Sequence, residues 1–306
     1  KFPDTAREGG GCVFATMDSG TAPQQSVEIR LAHSPDADDA FMFYALATNK
    51  VRAPGIRFTH VLSDIETLNR EAANETYEVT ALSVSAYAHV ADRYRLLDCG
   101  ASFGDGYGPL VVAARPIEPE ELLGRRVAVP GTLTTSYLVL KLFAPPVETV
   151  VIPFDRILEA VRDGAVEAGL IIHEGQLTYA RYGLHRVVDL GVWWQEKTGL
   201  PLPLGVNAVR RSIPEPVARE IARAIRRSVR YALDHREEAL HYALGFGREL
   251  DADLADRFVG MYVNHWTLQL GDTGRRAIRE LLARGAAAGL LPGPVEPEFL
   301  ALEDAA

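Results

Sequence analysis

From Val27 onward, short β-branched runs alternate with segments long enough for two or three helical turns. This rhythm limits the chain to an α/β architecture, because each apolar strand needs a helix laid over its exposed face. Residues 27–32 (VEIRLA) alternate as a strand, and Ser34-Pro35 reads as an N-cap and first-turn proline for a helix reaching about Thr48. The theme recurs: strands are expected at 56–62, 78–82, 96–99, 110–113, 126–129, 149–152 and 168–172. Helices are expected at 65–74, 85–94 (with Ser85 as N-cap), 135–143 and 155–162. After Trp193-Trp194, Pro201-Leu202-Pro203 predicts an extended crossover, since two prolines argue against a central strand. The last third is helical. Val217, Ile221, Ile225, Val229 and Leu233 make a continuous apolar stripe, with arginines mostly off it.

Two α/β units joined by a crossover predict a clamshell that closes on a small ligand. The expected division is a tail over 1–26, a large lobe from 27–113 plus 205–306, and a small lobe over 114–204. The tail lacks a starting methionine, an apolar core of signal-peptide length and any helical or strand period. It reads as upstream translation with Met17 as a candidate start, and the chain is expected in the cytoplasm. No apolar run approaches the ~18 residues of a membrane span. The net charge of −9 argues against a nucleic-acid backbone as partner. Cys12 and Cys99 are too few for a disulfide framework or a cysteine-ligated zinc site.

Four segments can carry chemistry. In Pro130-Gly131-Thr132-Leu133-Thr134-Thr135-Ser136, a strand ends, the chain turns and hydroxyl residues open a helix. Unpaired N–H groups and the helix dipole can hold a carboxylate there, with Thr135 and Ser136 as further donors. A single capping hydroxyl is the plainer alternative. His173 ends an apolar strand, where open α/β sheets place ligands. It suits proton abstraction near neutrality, though a satisfied structural histidine is the common alternative. Glu174 is expected on the opposite face if the run stays extended. His33-Ser34-Pro35-Asp36-Ala37-Asp38-Asp39 offers Ser34 or Asp38 to the cleft. Its carboxylates invite a metal reading but are also ordinary at a helix start. Finally, Ser83 precedes a helix without a capping duty and can reach a ligand. Gly104-Asp105-Gly106-Tyr107-Gly108 imitates a dinucleotide fingerprint, but a strand follows where a helix is required.

These motifs also carry a resemblance. The run 34–41 (SPDADDAF), Glu66-Thr67-Leu68-Asn69, Ala81-Leu82-Ser83, Val127-Ala128-Val129-Pro130-Gly131 with Thr134-Thr135, 169–174 (GLIIHE) and 198–205 (TGLPLPLG) resemble the 1,4-dihydroxy-6-naphthoate synthase family of the futalosine route to menaquinone. The likeness runs from about Val27 to Leu291. It implies a two-lobed periplasmic-binding-protein-like (type II) fold. It also implies a carbon–carbon lyase converting cyclic dehypoxanthine futalosine, with no metal or organic cofactor. By the same resemblance His173 is the proton acceptor, and Ala81, Leu82, Ser83, Thr135 and Ser136 hold substrate. Relatives can have Asn at the place of Asp38 and Ala at that of Ser136. An added carboxylate beside an anionic substrate is unfavourable unless Asp38 turns away or caps. The related chorismate dehydratase, or a binder of small carboxylates without turnover, are the alternative readings.

Overall fold

The computed structural model describes residues 26–144, 146–247 and 251–302. The expectations for residues 1–25, including Cys12 and Met17, lie outside the described residues. Strands β1 (Val27–His33), β2 (Ile56–Leu62), β3 (Val79–Ser83), β4 (Tyr94–Leu97) and β5 (Ser102–Gly104) come first. Then follow β6 (Leu110–Ala113), β7 (Arg126–Val129), β8 (Glu148–Val151), β9 (Ala168–Ile171) and β10 (His185–Asp189). The chain returns with β11 (Leu202–Arg210) and β12 (Phe299–Leu300).

These strands make two sheets. One has the order β12-β4-β11-β3-β1-β2, with β5 paired to β11; the other runs β10-β6-β9-β7-β8. Parallel β2–β1–β3 and β8–β7–β9 pairings form one side of each sheet. Both neighbourhoods therefore present carboxyl strand ends, the positions where open parallel sheets collect ligands.

The second sheet takes in Leu110–Ala113, which the expected division leaves with the first; β6 pairs with β9 and β10. At the return, all of β11 belongs to the first sheet. This corrects the expectation that Pro201-Leu202-Pro203 excludes a central strand. Pro203 pairs only with β5, beside an irregularity between Pro203 and Gly205, while pairing with β3 begins at Gly205. The missing N–H thus falls where β11 overhangs the end of β3, as sheet prolines require.

Helices α1 (Ala37–Ala47), α2 (Ile65–Ala72) and α3 (Val84–Tyr87) belong to the first unit. The second carries α4 (Thr135–Phe143), α5 (Ile157–Arg162), α6 (Gly175–Thr178) and α7 (Leu190–Thr198). The return adds α8 (Glu215–Asp234), α9 (Arg236–Ala243), α10 (Ala252–Tyr262), α11 (His265–Leu268) and α12 (Gly271–Ala287). Ile221, Ile225 and Val229 of the α8 stripe are fully buried, each contributing about 1.5–3 kcal/mol of burial. Arg219 and Arg223 pair with Glu215 and Glu220 on the outer face. That is a solvated helix face.

The glycine-rich stretch 104–108 serves the crossover between sheets. A Cβ on Gly104 or Gly191 would overlap the Tyr107 carbonyl, so the chain can cross against α7 only because both are glycine. Trp194 of α7 is fully buried and its Nε1–H donates to the Pro201 carbonyl at 3.2 Å, tying down the return crossover.

Candidate functional site

A cavity of about 120 Å³ lies between the two sheets and is lined from both. All six residues singled out for the site reach it: Ala81, Leu82, Ser83, Thr135, Ser136 and His173. They arrive there for different physical reasons.

Ser83 is the last residue of β3 and is buried. Asn69 of α2 grips it twice, accepting from the Ser83 N–H at 2.9 Å and donating to its Oγ at 3.0 Å. Ser85 is not an N-cap. Ser83 occupies the cap position of α3 without a side-chain cap bond, and the Ser85 hydroxyl instead donates to the Leu133 carbonyl at 2.5 Å. Sequence pattern could not see that partner, because it comes from the other sheet's loop.

At the start of α4, Thr134 is the cap, its hydroxyl accepting from the Tyr137 N–H. Ser136 Oγ sits 2.9 Å from Thr134 Oγ1. Thr135 Oγ1 donates to the Leu204 carbonyl at 2.7 Å and accepts from the Ser85 N–H. The hydroxyls expected as ligand donors are therefore committed to the protein. The N–H groups of Thr135 and Ser136 make no hydrogen bond among the described residues, so the dipole end of the helix still faces the cavity with its own donors. Glu66 of α2 reaches across to accept from the Leu133 N–H at 3.1 Å, held by Arg70 at 2.9 Å. Gly131 makes this possible, since a Cβ there would overlap the Glu66 carboxylate.

Another part of the cavity lining is charged. The chain does not stay extended past β9: His173 adopts φ +52°, a left-handed conformation uncommon outside glycine, and Glu174 turns helical. The expected strand alternation therefore does not set their directions. His173 lines the cavity, its Nδ1 3.1 Å from Asp36 Oδ2 and its ring edge-on to Phe154 at 4.9 Å between centroids. Glu174 is buried but does not line the cavity.

The β1–α1 loop differs from expectation. Asp36, not Ser34, is the N-cap residue of α1, and its side chain makes no cap bond. The helix begins at Ala37, beyond Pro35. Ser34 lends its N–H to Asp39 Oδ2 at 2.8 Å. Asp38 neither turns away nor caps; it is buried against the cavity. Burial, with Asp36 and Glu174 nearby, pushes its carboxyl up to about 7, partly offset by His173. Burial and the neighbouring carboxylates push Asp39 well above the ordinary range too, and Glu174 is raised for similar reasons. A protonated Asp38 removes the repulsion that a carboxylate would exert on an anion.

His33 proves structural. Its Nδ1 lies 3.0 Å from the Ser34 carbonyl and its Nε2 3.0 Å from His60 Nδ1. Burial, reinforced by His60, lowers its pKa to about 3, so the ring is neutral. Among the described residues no group of three or more His, Cys, Asp or Glu side chains is placed to hold a metal ion. Nor is any described helix long and apolar enough to cross a membrane.

Sequence reasoning missed Asp36, Asn69 and the Gln176–Tyr262 hydrogen bond of 2.8 Å, which joins α6 to α10 across the cavity. Asp36 had a signal as the first acid after the strand-ending loop, and Asn69 stood in a run that carries the family resemblance.

A protein-family model described as menaquinone biosynthesis matches residues 29–287. The chain is 48% identical over 272 residues to the 1,4-dihydroxy-6-naphthoate synthase of Thermus thermophilus, covering 89% of this chain and 99% of that one. A crystal structure of an Archaeoglobus fulgidus protein is 51% identical, with a TM-score of 0.83 over 86% of this chain and 98% of that one. At 15% identity, a Candida albicans protein described as having the generic periplasmic binding protein fold superposes with a TM-score of 0.67. The match covers 90% of this chain and 98% of that one.

Proposed function

The chain belongs to the menaquinone-biosynthesis family of 1,4-dihydroxy-6-naphthoate synthases, which are lyases, and from that premise we propose that the inter-sheet cavity holds cyclic dehypoxanthine futalosine with His173 as general base. One observation carries the reading: a single cavity is lined both by an imidazole and by the first turn of α4. The first can take a proton, and the second can hold an anion without a formal cation.

In this mechanism the N–H groups of Thr135 and Ser136 receive the substrate carboxylate, and Ser83, fixed by Asn69, bounds the opposite wall. Ala81 and Leu82 of β3 supply the apolar part of that wall. His173 removes a carbon-bound proton acidified by an adjacent carbonyl. The electron pair left on carbon collapses to break the bond to the sugar-derived fragment. That fragment leaves with the bonding pair and takes up a proton from the imidazolium, and aromatisation of the naphthalene drives the step. Positioned proton transfer of this kind contributes roughly 10²–10⁴-fold. The binding end also reconciles an acidic chain, net charge −9, with an anionic substrate, because helix-start dipoles act locally. A biosynthetic role of this kind accords with action in the cytoplasm.

Incubating the purified protein separately with the cyclic futalosine derivative and with chorismate tests this reading. Naphthoate should form from the first, and chorismate should be recovered unchanged. Dehydration of chorismate would instead assign the related dehydratase activity, and tight binding without turnover of either would assign a non-catalytic binder.

A further inference from the structure

The acid nearest to His173 comes from the other side of the cleft. His173 follows β9 of the five-stranded sheet, whereas Asp36 ends the loop after β1 of the seven-stranded sheet. Their Nδ1–Oδ2 separation of 3.1 Å is an ion-pair contact between the two lobes. Asp36 also stands where an aspartate ordinarily caps its helix, with the extended backbone that a cap residue adopts. Its carboxylate makes no cap bond to α1 and lies against the imidazole instead. The side chain is almost wholly buried. Such a carboxylate is costly to desolvate and needs a partner of this kind.

We propose that Asp36 is a positioning residue for His173, and that the base becomes oriented only when the two lobes are closed on each other. A carboxylate accepting from Nδ1–H fixes the neutral tautomer with its lone pair on Nε2. When Nε2 takes the substrate's proton, the imidazolium is stabilised by Asp36 at the same contact. The left-handed backbone of His173 fits this duty. A non-glycine residue at φ +52° holds that conformation only because its surroundings compensate, and Phe154 and Asp36 both grip the ring. Opening the cleft would separate Asp36 from the imidazole and leave the ring without its orienting acid. Turnover would thus be confined to the closed, substrate-filled state.

The inference rests on His173 being the base, so its test needs one readout that does not depend on turnover. The charged groups around the ring are Asp36 and Asp38 on the β1–α1 side and Glu174 on its own segment, with Asp39 beyond Asp38. Asp36→Asn removes the charge that contacts Nδ1. Glu174→Gln removes an acid from the same cluster without touching the ring contact. In Asp36→Asn, kcat should fall roughly 10–100-fold with KM within about threefold. The acid limb of kcat/KM should move to lower pH by about one unit, because an imidazolium beside a carboxylate is harder to deprotonate. Titration of His173 followed by NMR should move the same way, and Glu174→Gln should change kcat by less than about threefold. An unshifted His173 titration in Asp36→Asn, or equal loss of kcat in both variants, would overturn the positioning role. If the titration shifts while His173→Ala stays active, the pairing stands and the base assignment fails.

Discussion

The two functional parts of the cavity lining, the α4 start and the surroundings of His173, are built on opposite principles. At the α4 end, Thr134, Thr135, Ser136, Ser83 and Asn69 are neutral, and each hydroxyl or amide already has a protein partner. At the His173 end, Asp36 lies against the imidazole with the buried Asp38 near it, and burial and neighbouring carboxyls push Asp38 up; Asp39 behind it and Glu174, which does not line the cavity, are raised in the same way. Saturated hydrogen bonding makes a rigid cradle whose remaining donors are main-chain N–H groups. Crowded charge makes a place where protonation states sit close to balance, which is where proton transfer is readily tuned. Under the proposed mechanism the α4 start binds and His173 moves the proton, so damage to each should show different kinetics.

Among substitutions that leave the imidazole in place, the largest effect is expected at Asp36, where kcat falls and KM does not. Thr135→Val should do the reverse. It breaks the bonds to Leu204 and Ser85, which tie α4 to the first lobe, and should raise KM about tenfold with kcat within a few-fold. Steady-state kinetics on the two variants checks the division; if both lower kcat alone, the two ends are not separate in function.

The smallest effect concerns stability. Asp38 keeps its proton up to about pH 7 when folded but loses it near the ordinary 3.8 when unfolded. The folded state then binds more protons between these values, so this residue's contribution to stability is lost as pH rises through that window. Asp38→Asn should therefore melt several degrees above the parent at pH 8 and show no such gain at pH 4. Equal shifts at both pH values in thermal unfolding would contradict the protonated reading of Asp38.

Much of the scaffold was legible because strand and helix periods are local properties. β2, β6, β7 and α4 start and stop where their patterns do. What pattern could not supply was partnership at a distance. Ser34-Pro35 has the chemistry of a helix start, yet α1 begins later because Ser34 donates to Asp39 and Pro35 lies outside the helix. Ser85 resembles a cap but bonds to Leu133, 48 residues away. Pro203 was misread because proline excludes a strand only where both edges are paired, and overhang is a property of the sheet. Within the site, Ser83, Thr135, Ser136 and His173 lie at or just past a strand end or at a helix start, positions that patterns disclose, whereas Ala81 and Leu82 inside β3 came only with the family resemblance. Asp36 was passed over for Asp38 because only the folded chain brings it against an imidazole 137 positions away.

The claim at the centre of this account is that His173 moves the proton while the α4 end holds the substrate. The direct measurement is His173→Ala, with turnover of the cyclic futalosine derivative and its binding by calorimetry followed on the same preparation. Turnover should drop by roughly 10²–10⁴-fold while the dissociation constant stays within about threefold of the parent. Unchanged turnover, or a loss explained wholly by weakened binding, would contradict it.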